Sequence, residues 1–544
     1  MYDLLIKNGS VVTGAGNPWF EADVAIKEGR IARVGSLGHA QAERVIDAGG
    51  HVVAPGFVDM HNHSDTSIMV NPRSESFIRQ GVTMLVFPNC GSGAAPLNDD
   101  LKEEFRRSTP EFFEAGLKLD WSTFDEYLRK IEAIGTSVNV APFIGFGTVR
   151  RYVMGYEMRA PTRGELDAMR AEVEKAMRDG AFGITTGLRY VPQSWAETEE
   201  VIEVTKAASK YKGIYTSHVR DEGDRGDPIG AIEEIIRIAE EDDIPVHIAH
   251  FKILSKPHWD ECDEILRIIE EARARGVDVT ADQYPYPASG SSPQAWIPRW
   301  AREGGDEGLI NKLEDPETRK RIRDELERVM EVRGGPGAAL IRNYPLKREY
   351  IGKTVAEVNE MLGRDDPTDT LLDIYKEHVE KSLAGEVEGR FSFVSFNMTE
   401  KNVDKMMLKP WVMTSSDGRI HAPYGPLVKR NPAVHPRFYG AFPRVLGHYV
   451  REKGLLTLEE AVKKMTSLPN QRLGIHDRGL IAEGMWADVT IFDPEKVKDR
   501  AEFTPPEKTI LYPEGIPYVI VNGVVTIDEG EHTGALAGKV LRKR

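Results

Sequence analysis

The fold is decided by one stretch of the sequence, Val52-Val53-Ala54-Pro55-Gly56-Phe57-Val58-Asp59-Met60-His61-Asn62-His63-Ser64-Asp65. Its first half, Val52–Val58, is an apolar run that predicts a buried β-strand. Residues i and i+2 of a strand point to the same face, so His61 and His63 can bind one metal ion together. A His-x-His pair alone is weak evidence for a metal site. Its position between an apolar strand and an acidic loop makes that interpretation much stronger.

From about residue 52 to residue 420, strand candidates alternate with amphipathic helix candidates. Apolar residues of the helices recur every three or four positions, as in Ile265, Ile268 and Ile269. This alternation predicts a parallel sheet, and eight or so strand–helix units predict a closed (β/α)₈ TIM barrel, with a doubly wound open sheet as the alternative. One strand candidate too many is present for such a barrel, so one is expected to lie outside it. The nine candidates are Val52–Val58, Val82–Phe87, Val138–Ile144, Phe182–Thr186, Ile214–Ser217, Val246–Ala249, Val277–Ala281, Phe391–Phe396 and Val412–Ser415.

Both ends of the chain show short alternating strands separated by turns. Asn8-Gly9 and Asn522-Gly523 each separate two apolar runs, which is a hairpin signal. The similar patterns predict one small β-sandwich domain built from residues 1–54 and 476–544, and two unrelated β caps are the alternative. The barrel then covers residues 55–475. Within it, an irregular segment at about 290–350 predicts an inserted, lid-like subdomain.

The composition of the 544-residue chain restricts its class. A hydrophobic fraction of 40% is too high for a disordered chain, and a net charge of −15 argues against binding nucleic acid through phosphate contacts. No apolar run reaches the length of a membrane helix and the N-terminus lacks a signal peptide, so we expect a soluble, cytoplasmic protein without a membrane partner. Two cysteines exclude a disulfide framework. Six glutamines and 29% charged residues favour a thermophile.

Residues that can bind a metal recur at the ends of five of the nine predicted strands. Besides the pair at 61 and 63, they are Cys90, His218, His250 and Asp417. Barrels of this kind place their chemistry where strands end and the following loops begin. For Cys90 alone a small buried cysteine is the simpler interpretation. His247 lies three residues before His250 and so faces the other side, in the core or on the surface. Because histidine accounts for only 14 of 544 residues, the shared position predicts a metal-dependent active site.

At these residues the chain resembles the amidohydrolase superfamily and, more narrowly, the D-aminoacylase (N-acyl-D-amino-acid deacylase) family. The His-x-His pair marks the superfamily, whereas Asn89-Cys90-Gly91 and His435-Pro436-Arg437 indicate the narrower family. The resemblance extends over nearly the whole chain. It implies a tight zinc site formed by Cys90, His218 and His250. It also implies a second, weaker metal position lined by His61, His63 and Asp417.

The same resemblance implies a small N-acyl amino acid as substrate. The residues implied to bind it are Lys252, Tyr284, Ser289 and Arg437, with Tyr190 nearby. Independently of the family, a guanidinium group binds a carboxylate through two parallel hydrogen bonds, which suits Arg437. Asp417 is the implied catalytic residue, which takes a proton from a zinc-activated water and passes it to the leaving amine.

The implied activity is zinc-dependent hydrolysis of the amide bond of N-acyl-D-amino acids to a carboxylate and a free D-amino acid. The alternatives are another amidohydrolase, such as a dipeptidase or a cyclic-amide hydrolase, and a non-catalytic metal-binding homologue. The segment Thr185–Leu188 offers no lysine, which argues against the hydantoinases. The chain departs from the family at Phe146, where members often carry histidine. The segment Gly418–Pro436 is a second place where the entrance to the site is expected to differ.

Overall fold

The computed structural model describes residues 1–387 and 389–543. Its centre is a barrel of eight parallel strands, which we label in chain order. They are β1 Phe57–Asp59, β2 Val82–Phe87, β3 in two pieces (Asn139–Pro142 and Ile144–Gly145), β4 Gly183–Gly187, β5 Ile214–His218, β6 Val246–Ile248, β7 Val279–Gln283 and β8 Val412–Thr414.

Hydrogen bonds between neighbours close these strands into a ring. One parallel run joins β1, β2 and β3, and the other joins β3 to β8 through β4, β5, β6 and β7. Just beyond β1 and β8, Asn62 forms a parallel bridge with Gly418, and the amide of Asp417 donates to the carbonyl of His61 at 2.8 Å. The predicted closed barrel is therefore confirmed, and the open sheet is excluded.

Helices follow most barrel strands and pack on the outside of the ring. Arg163–Arg178 shows how the sequence specifies them: Thr162 and Glu165 form a reciprocal capping box at its start, and Met169 and Val173 are buried. The larger helices around the barrel are Asp99–Ser108, Phe124–Ile134, Phe146–Met154, Arg163–Arg178, Thr198–Ser209, Pro228–Asp242, Cys262–Ala274, Glu400–Met407, Arg437–Arg444, Leu458–Met465 and Ser467–Leu473. Within residues 1–387 and 389–543, no helix combines the length and apolar character needed to cross a membrane.

The two ends of the chain meet in a single nine-stranded sheet. Its strands are Tyr2–Val11, Phe20–Lys27, Arg30–Gly35, Ala42–Asp47, Val52–Pro55, Val489–Phe492, Tyr518–Val521, Val524–Asp528 and Glu531–His532. Val489–Phe492 pairs antiparallel with Val52–Pro55, and this pairing joins the N-terminal strands to the C-terminal ones.

The predicted first barrel strand, Val52–Val58, is in fact two strands. Val52–Pro55 belongs to the terminal sheet, whereas Phe57–Asp59 belongs to the barrel. Gly56 separates them, and a Cβ atom at this position would lie 2.2 Å from Thr83 Oγ1. The run reads as one strand in the sequence because both halves are apolar and both are buried.

An insertion between β7 and β8 forms its own sheet and its own core. The sheet is antiparallel and consists of Ser289–Ser291, Ser392–Ser395 and Ala339–Asn343, with Ser392–Ser395 in the middle. The insertion helices are Gly305–Glu314, Pro316–Val332, Val355–Met361 and Pro367–Leu383. Its elements thus continue to residue 395, beyond the predicted end at about 350. The predicted strand Phe391–Phe396 lies in this sheet and is the surplus ninth candidate.

A buried ion-pair cluster holds the insertion against the barrel. Arg333 follows the helix Pro316–Val332, and its Nε lies 2.9 Å from Asp224 Oδ2 in the loop after β5. The Nη2 atom of Arg189, in the loop after β4, lies 2.5 Å from the same Asp224 oxygen. Burial raises the pKa of the Asp224 carboxyl, but the two guanidinium groups outweigh it and hold this pKa below its usual range. One carboxylate therefore ties three segments together.

Replacing Asp224 by asparagine should loosen this junction. The change leaves Arg189 and Arg333 buried without an anion, which costs about 3–5 kcal/mol. We expect urea unfolding to move to lower concentration and limited proteolysis to cut within residues 289–395 sooner. As a matched control, Glu264→Gln removes a carboxylate from an exposed pair with Arg267 and should leave both measurements unchanged.

The stabilisation by Asp224 should also depend on pH. Because the folded-state pKa of Asp224 is depressed, its stabilising effect is complete at neutral pH and is lost as pH falls through that depressed value. The difference in unfolding free energy between the wild type and Asp224→Asn should therefore shrink in acid. An equal difference at all pH values would show that the ionised carboxylate is not what holds the insertion.

Candidate metal-dependent active site

Six metal-competent side chains converge at the C-terminal end of the barrel. They are His61 and His63 after β1, Cys90 after β2, His218 at the end of β5, His250 after β6 and Asp417 after β8. Three of them have left-handed backbone conformations, with φ of 52° at Cys90, 37° at His250 and 46° at Asp417. Non-glycine residues adopt this region at a cost of about 1–3 kcal/mol, and such strain concentrates at functional sites.

The Cys90 thiol lies among three imidazoles. Its Sγ atom is 3.5 Å from His61 Nε2, 3.6 Å from His218 Nδ1 and 3.3 Å from His250 Nε2. Burial raises the pKa of this thiol, but the charges of His250 and His61 and hydrogen bonds from the imidazoles outweigh burial and leave the pKa well below its usual value. The thiolate is the form that ligates a metal.

A second group of ligand atoms lies beside the first and shares His61 with it. His63 Nε2 is 3.2 Å from Asp417 Oδ1, and His61 Nε2 is 3.8 Å from the same oxygen. Within each of the sets His61–Cys90–His250 and His61–His63–Asp417, the ligand atoms lie within 4.8 Å of one another. Two sets of side chains that could each hold a metal ion therefore lie next to one another.

The donor set suits zinc. A thiolate and several imidazoles are the soft and borderline ligands that zinc prefers over magnesium or calcium. His61 Nδ1 and His218 Nε2 are buried, and neither has a hydrogen-bond partner of good geometry within the described part of the chain. Charged and polar atoms gathered in this way, with some hydrogen bonds unmade, are what a metal ion would stabilise.

Glu222 lies behind two of the imidazoles and was not among the site residues predicted from the sequence. Its two carboxylate oxygens lie 3.2 Å from His218 Nε2 and 3.4 Å from His250 Nδ1. A carboxylate in this position orients the ring and selects its tautomer. Its position four residues after His218, in the same loop, is the sequence signal that could have identified it.

Asp282 has a similar role on the other side of the site and was also missed. Its Oδ2 atom lies 3.5 Å from His61 Nδ1 and 2.8 Å from His247 Nε2, and its Oδ1 accepts a 3.0 Å hydrogen bond from the amide of His250. His247 is thus a buried residue that links to the site through Asp282. The signal was available in the sequence, because Asp282 directly follows the predicted strand Val277–Ala281.

Arg437 brings a cation to the rim of the site. Its Nη1 lies 2.9 Å from Asp417 Oδ2, and its guanidinium carbon lies 4.5 Å from the centre of the Tyr284 ring. The amide of Arg437 donates to His435 Nδ1 at 3.1 Å, and His435 Nε2 lies 3.0 Å from the carbonyl oxygen of Ala288. Apart from the ion pair with Asp417, the buried Arg437 atoms Nε and Nη1 make no hydrogen bond of good geometry to the described residues, so the guanidinium group has unused donors.

The other residues implied to bind substrate lie around this rim. Lys252 Nζ lies 2.6 Å from Glu222 Oε1 and 2.7 Å from His250 Nδ1, so its ammonium group already has two partners. The Tyr190 ring lies 4.9 Å from the ring of His218. Ser289 donates to Asn397 Oδ1 at 3.0 Å. Phe146, where the family often has histidine, is fully buried in the main hydrophobic core.

Comparisons with known proteins agree with this geometry. The profile of the amidohydrolase family matches residues 44–527. The D-aminoacylase of Alcaligenes xylosoxydans xylosoxydans is 34% identical over 543 residues, covering 100% of this chain and 98% of that protein. The N-acyl-D-glutamate deacylase of the same organism is 32% identical over 545 residues, covering 99% and 96%.

Two solved structures extend the comparison to the fold. A D-aminoacylase structure, described with a binuclear metal centre, has a TM-score of 0.81 and 32% identity and covers 100% of both chains. The N-acyl-D-glutamate deacylase of Bordetella bronchiseptica, in complex with zinc and a phosphonate inhibitor, has a TM-score of 0.79 and 29% identity and covers 99% of both chains.

The two cysteines provide a matched test of metal binding. Cys90→Ser removes the thiolate at the centre of the imidazoles and should lower zinc affinity at least about 100-fold, since even residues behind the ligands contribute 10- to 100-fold. Cys262→Ser changes a buried helix thiol whose pKa is raised to about 11 by burial, and it should leave the affinity unchanged. Competition with a chromogenic chelator measures both. Equal zinc affinities in Cys90→Ser and Cys262→Ser would show that Cys90 is not a zinc ligand.

Proposed function

The chain belongs to the amidohydrolase family, and we propose that within it the protein hydrolyses the amide bond of N-acyl-D-amino acids, with zinc, to a carboxylate and a free D-amino acid. The observation that carries this proposal is the contact between two halves of the site. The metal-competent cluster around Cys90 adjoins Asp417, and Asp417 is paired with Arg437. The metal-competent cluster is suited to hydrolysing the amide bond, and the guanidinium group of Arg437 is suited to binding a carboxylate.

We propose that Cys90, His218 and His250 hold the tighter zinc ion and that His61, His63 and Asp417 line a second, weaker position. The distances from the Cys90 thiol to His218 and to His250 support the first set, and the contacts of Asp417 with His61 and His63 support the second. His61 is close enough to both sets to contribute to either. The binuclear centre described for the solved D-aminoacylase is consistent with two neighbouring positions.

When bound, zinc lowers the pKa of a water molecule to about 7 and polarises the scissile carbonyl. The chain's own residues do the rest. Asp417 accepts the proton of the attacking water and passes it to the nitrogen of the leaving amine. Glu222 and Asp282 hold the imidazole rings in place from behind, so that the ligand atoms stay aimed at the reacting group.

The pairing of Arg437 with Asp417 gives substrate binding a direct effect on the base. Burial raises the pKa of Asp417, but Arg437 and His250 outweigh it and hold that pKa well below its usual value. A carboxylate so strongly stabilised is a weak proton acceptor. When the α-carboxylate of a substrate binds Arg437, it competes with Asp417 for the guanidinium group, and the basicity of Asp417 rises. The correct substrate thereby activates the base.

Two fixed points on the substrate explain how the site selects an enantiomer. The α-carboxylate binds at Arg437, above the ring of Tyr284, and the amide lies at the metal cluster. With these two groups fixed on the α-carbon, the side chain and the hydrogen exchange places between D and L substrates. The surroundings on the two sides of the α-carbon then decide which enantiomer is hydrolysed.

We also propose a cytoplasmic location in a heat-adapted organism. Both Cys90 and Cys262 are free thiols, and a reducing compartment keeps thiols in that form. The scarcity of glutamine and the high content of charged residues support heat adaptation.

A substrate panel on zinc-loaded protein tests the proposed function. We expect release of the free amino acid from N-acetyl-D-amino acids, little release from the L-enantiomers, and loss of activity after chelation that zinc restores. Turnover confined to dipeptides or to cyclic amides would replace the proposal with one of those activities. Zinc binding without turnover of any of these amides would indicate a non-catalytic homologue.

The base is tested by Asp417→Asn. Loss of general base and acid catalysis should lower kcat at least about 100-fold. Zinc content and thermal unfolding measured on the same sample separate a loss of chemistry from a loss of metal or fold. Undiminished turnover by a zinc-loaded Asp417→Asn protein would contradict the role proposed for Asp417.

The carboxylate site is tested with two variants of Arg437. Arg437→Met removes the guanidinium group and should lower kcat/KM for an N-acetyl-D-amino acid about 10- to 100-fold, whereas Arg437→Lys should retain part of it. The same measurement with the corresponding α-carboxamide is the control, because that substrate lacks the charge. A variant that loses activity equally on both substrates would show that Arg437 does not bind the α-carboxylate.

A further inference from the structure

A second guanidinium group lies next to Arg437 and comes from the insertion. It belongs to Arg342, in the strand Ala339–Asn343. A Cβ atom built on Gly290 would lie 3.0 Å from Arg437 Nη2 and 3.7 Å from Arg342 Nη1. The two cations therefore flank one glycine, in the strand that begins with Ser289, and the missing side chain is what leaves room for both.

The backbone at Arg342 is irregular in a way that redirects its side chain. In the antiparallel pairing with Ser392–Ser395, Ile341 pairs with Phe393 and Asn343 pairs with Ser392, which leaves Arg342 without a partner. An extra residue of this kind is a β-bulge, and bulges beside active sites serve to aim a side chain.

Arg342 is half-buried, yet it has no acidic partner among the residues that the structure describes. Within the described residues, the only hydrogen bond of its side chain runs from Nε to Ser392 Oγ at 3.2 Å, and its guanidinium carbon lies 5.8 Å from the centre of the Phe438 ring. No carboxylate in that part of the chain forms an ion pair with it. The terminal nitrogens Nη1 and Nη2, which form the face that binds carboxylates, donate to no described group.

The charges around Arg342 favour an added anion. Burial, together with the nearby cations Arg437 and Arg419, lowers the pKa of Arg342 to about 9, and only Asp417 acts in the opposite direction. Asp417 is already paired with Arg437. Three cations and one carboxylate thus gather at this edge of the site, in a chain whose net charge is −15. A cationic cluster of this kind is stabilised when a negatively charged ligand binds.

We propose that Arg342 binds the side-chain carboxylate of an acidic N-acyl-D-amino acid, across Gly290 from the α-carboxylate held by Arg437. This inference rests on the proposed function and adds the substrate class. N-acyl-D-glutamate and N-acyl-D-aspartate carry two carboxylates separated by a short chain, and two guanidinium groups side by side match that arrangement. Specificity follows because a substrate with a neutral side chain leaves the half-buried guanidinium group of Arg342 without an anion.

Kinetics with charged and neutral pairs of substrates test this assignment. N-acetyl-D-glutamate is compared with N-acetyl-D-glutamine, and N-acetyl-D-aspartate with N-acetyl-D-asparagine, since the members of each pair differ little except in charge. We expect kcat/KM of the wild type to favour the acids by about 10- to 100-fold. Arg342→Met should abolish this preference while kcat/KM for the two amides stays within about threefold of the wild-type value. Arg342→Lys should retain part of the preference.

A charge reversal and a matched control complete the experiment. Arg342→Glu should favour N-acetyl-D-lysine over N-acetyl-D-glutamate. Arg348→Met removes an exposed arginine of the same insertion and should leave every ratio unchanged. Thermal unfolding of each variant identifies any loss of fold, and the acid-to-amide ratio is unaffected by the fraction of active protein.

The outcomes separate this inference from the function on which it rests. Hydrolysis of neutral N-acyl-D-amino acids with no preference for acids would overturn the role of Arg342 and leave the proposed function intact. An acid preference that survives in Arg342→Met, or an equal loss on acids and amides, would also overturn it. If no N-acyl-D-amino acid is hydrolysed, the proposed function itself fails.

Discussion

The site depends on one contact, which closes the barrel between its first and last strands. The carboxylate of Asp59, at the end of β1, accepts hydrogen bonds of 2.9 Å from the amide and 2.5 Å from the hydroxyl of Ser416, a residue 357 positions later in the chain. The same carboxylate accepts the amide of His61 at 3.3 Å, and the amide of Asp417 donates to the carbonyl of His61. Burial raises the pKa of Asp59 to about 7 against these bonds. Because the contact sets His61 beside Asp417, the arrangement of both sets of metal-competent side chains depends on it.

Around that contact the charges are arranged in layers. Carboxylates of Glu222 and Asp282 lie behind the imidazoles, the thiol of Cys90 lies among them, and cations occupy the outer rim. The barrel supplies the inner layers, whereas the insertion supplies part of the rim through Ser289 and Arg342 and is held in place at Asp224. A negatively charged protein can attract an anionic substrate in this way, because the field at the rim is set by nearby cations rather than by the net charge.

The local sequence pattern was sufficient to predict the barrel, but it did not show where the first barrel strand begins or where the insertion ends. Eight of the strand candidates lie on barrel strands. The alternation of strands and helices can be read from the local sequence, and it does not depend on contacts between distant residues. Val52–Val58 was predicted as one strand, since apolar character alone cannot show that Gly56 marks a passage from one sheet to another. The end of the insertion was missed for a related reason. Its strands at residues 339–343 and 392–395 pair across about fifty intervening residues, and nothing local signals that pairing.

The sequence by itself determined the metal-competent residues, the barrel and the membership of the amidohydrolase family, because these rest on residue types at fixed spacings along strands. Only the tertiary structure decided which side chains face one another. It showed that Lys252 is held by Glu222, that Asp417 is paired with Arg437, and that Arg342 lies beside them without a carboxylate partner among residues 1–387 and 389–543. Such contacts join residues tens to hundreds of positions apart. Their distances depend on how strands, loops and a bulge are placed in space, which no local pattern encodes.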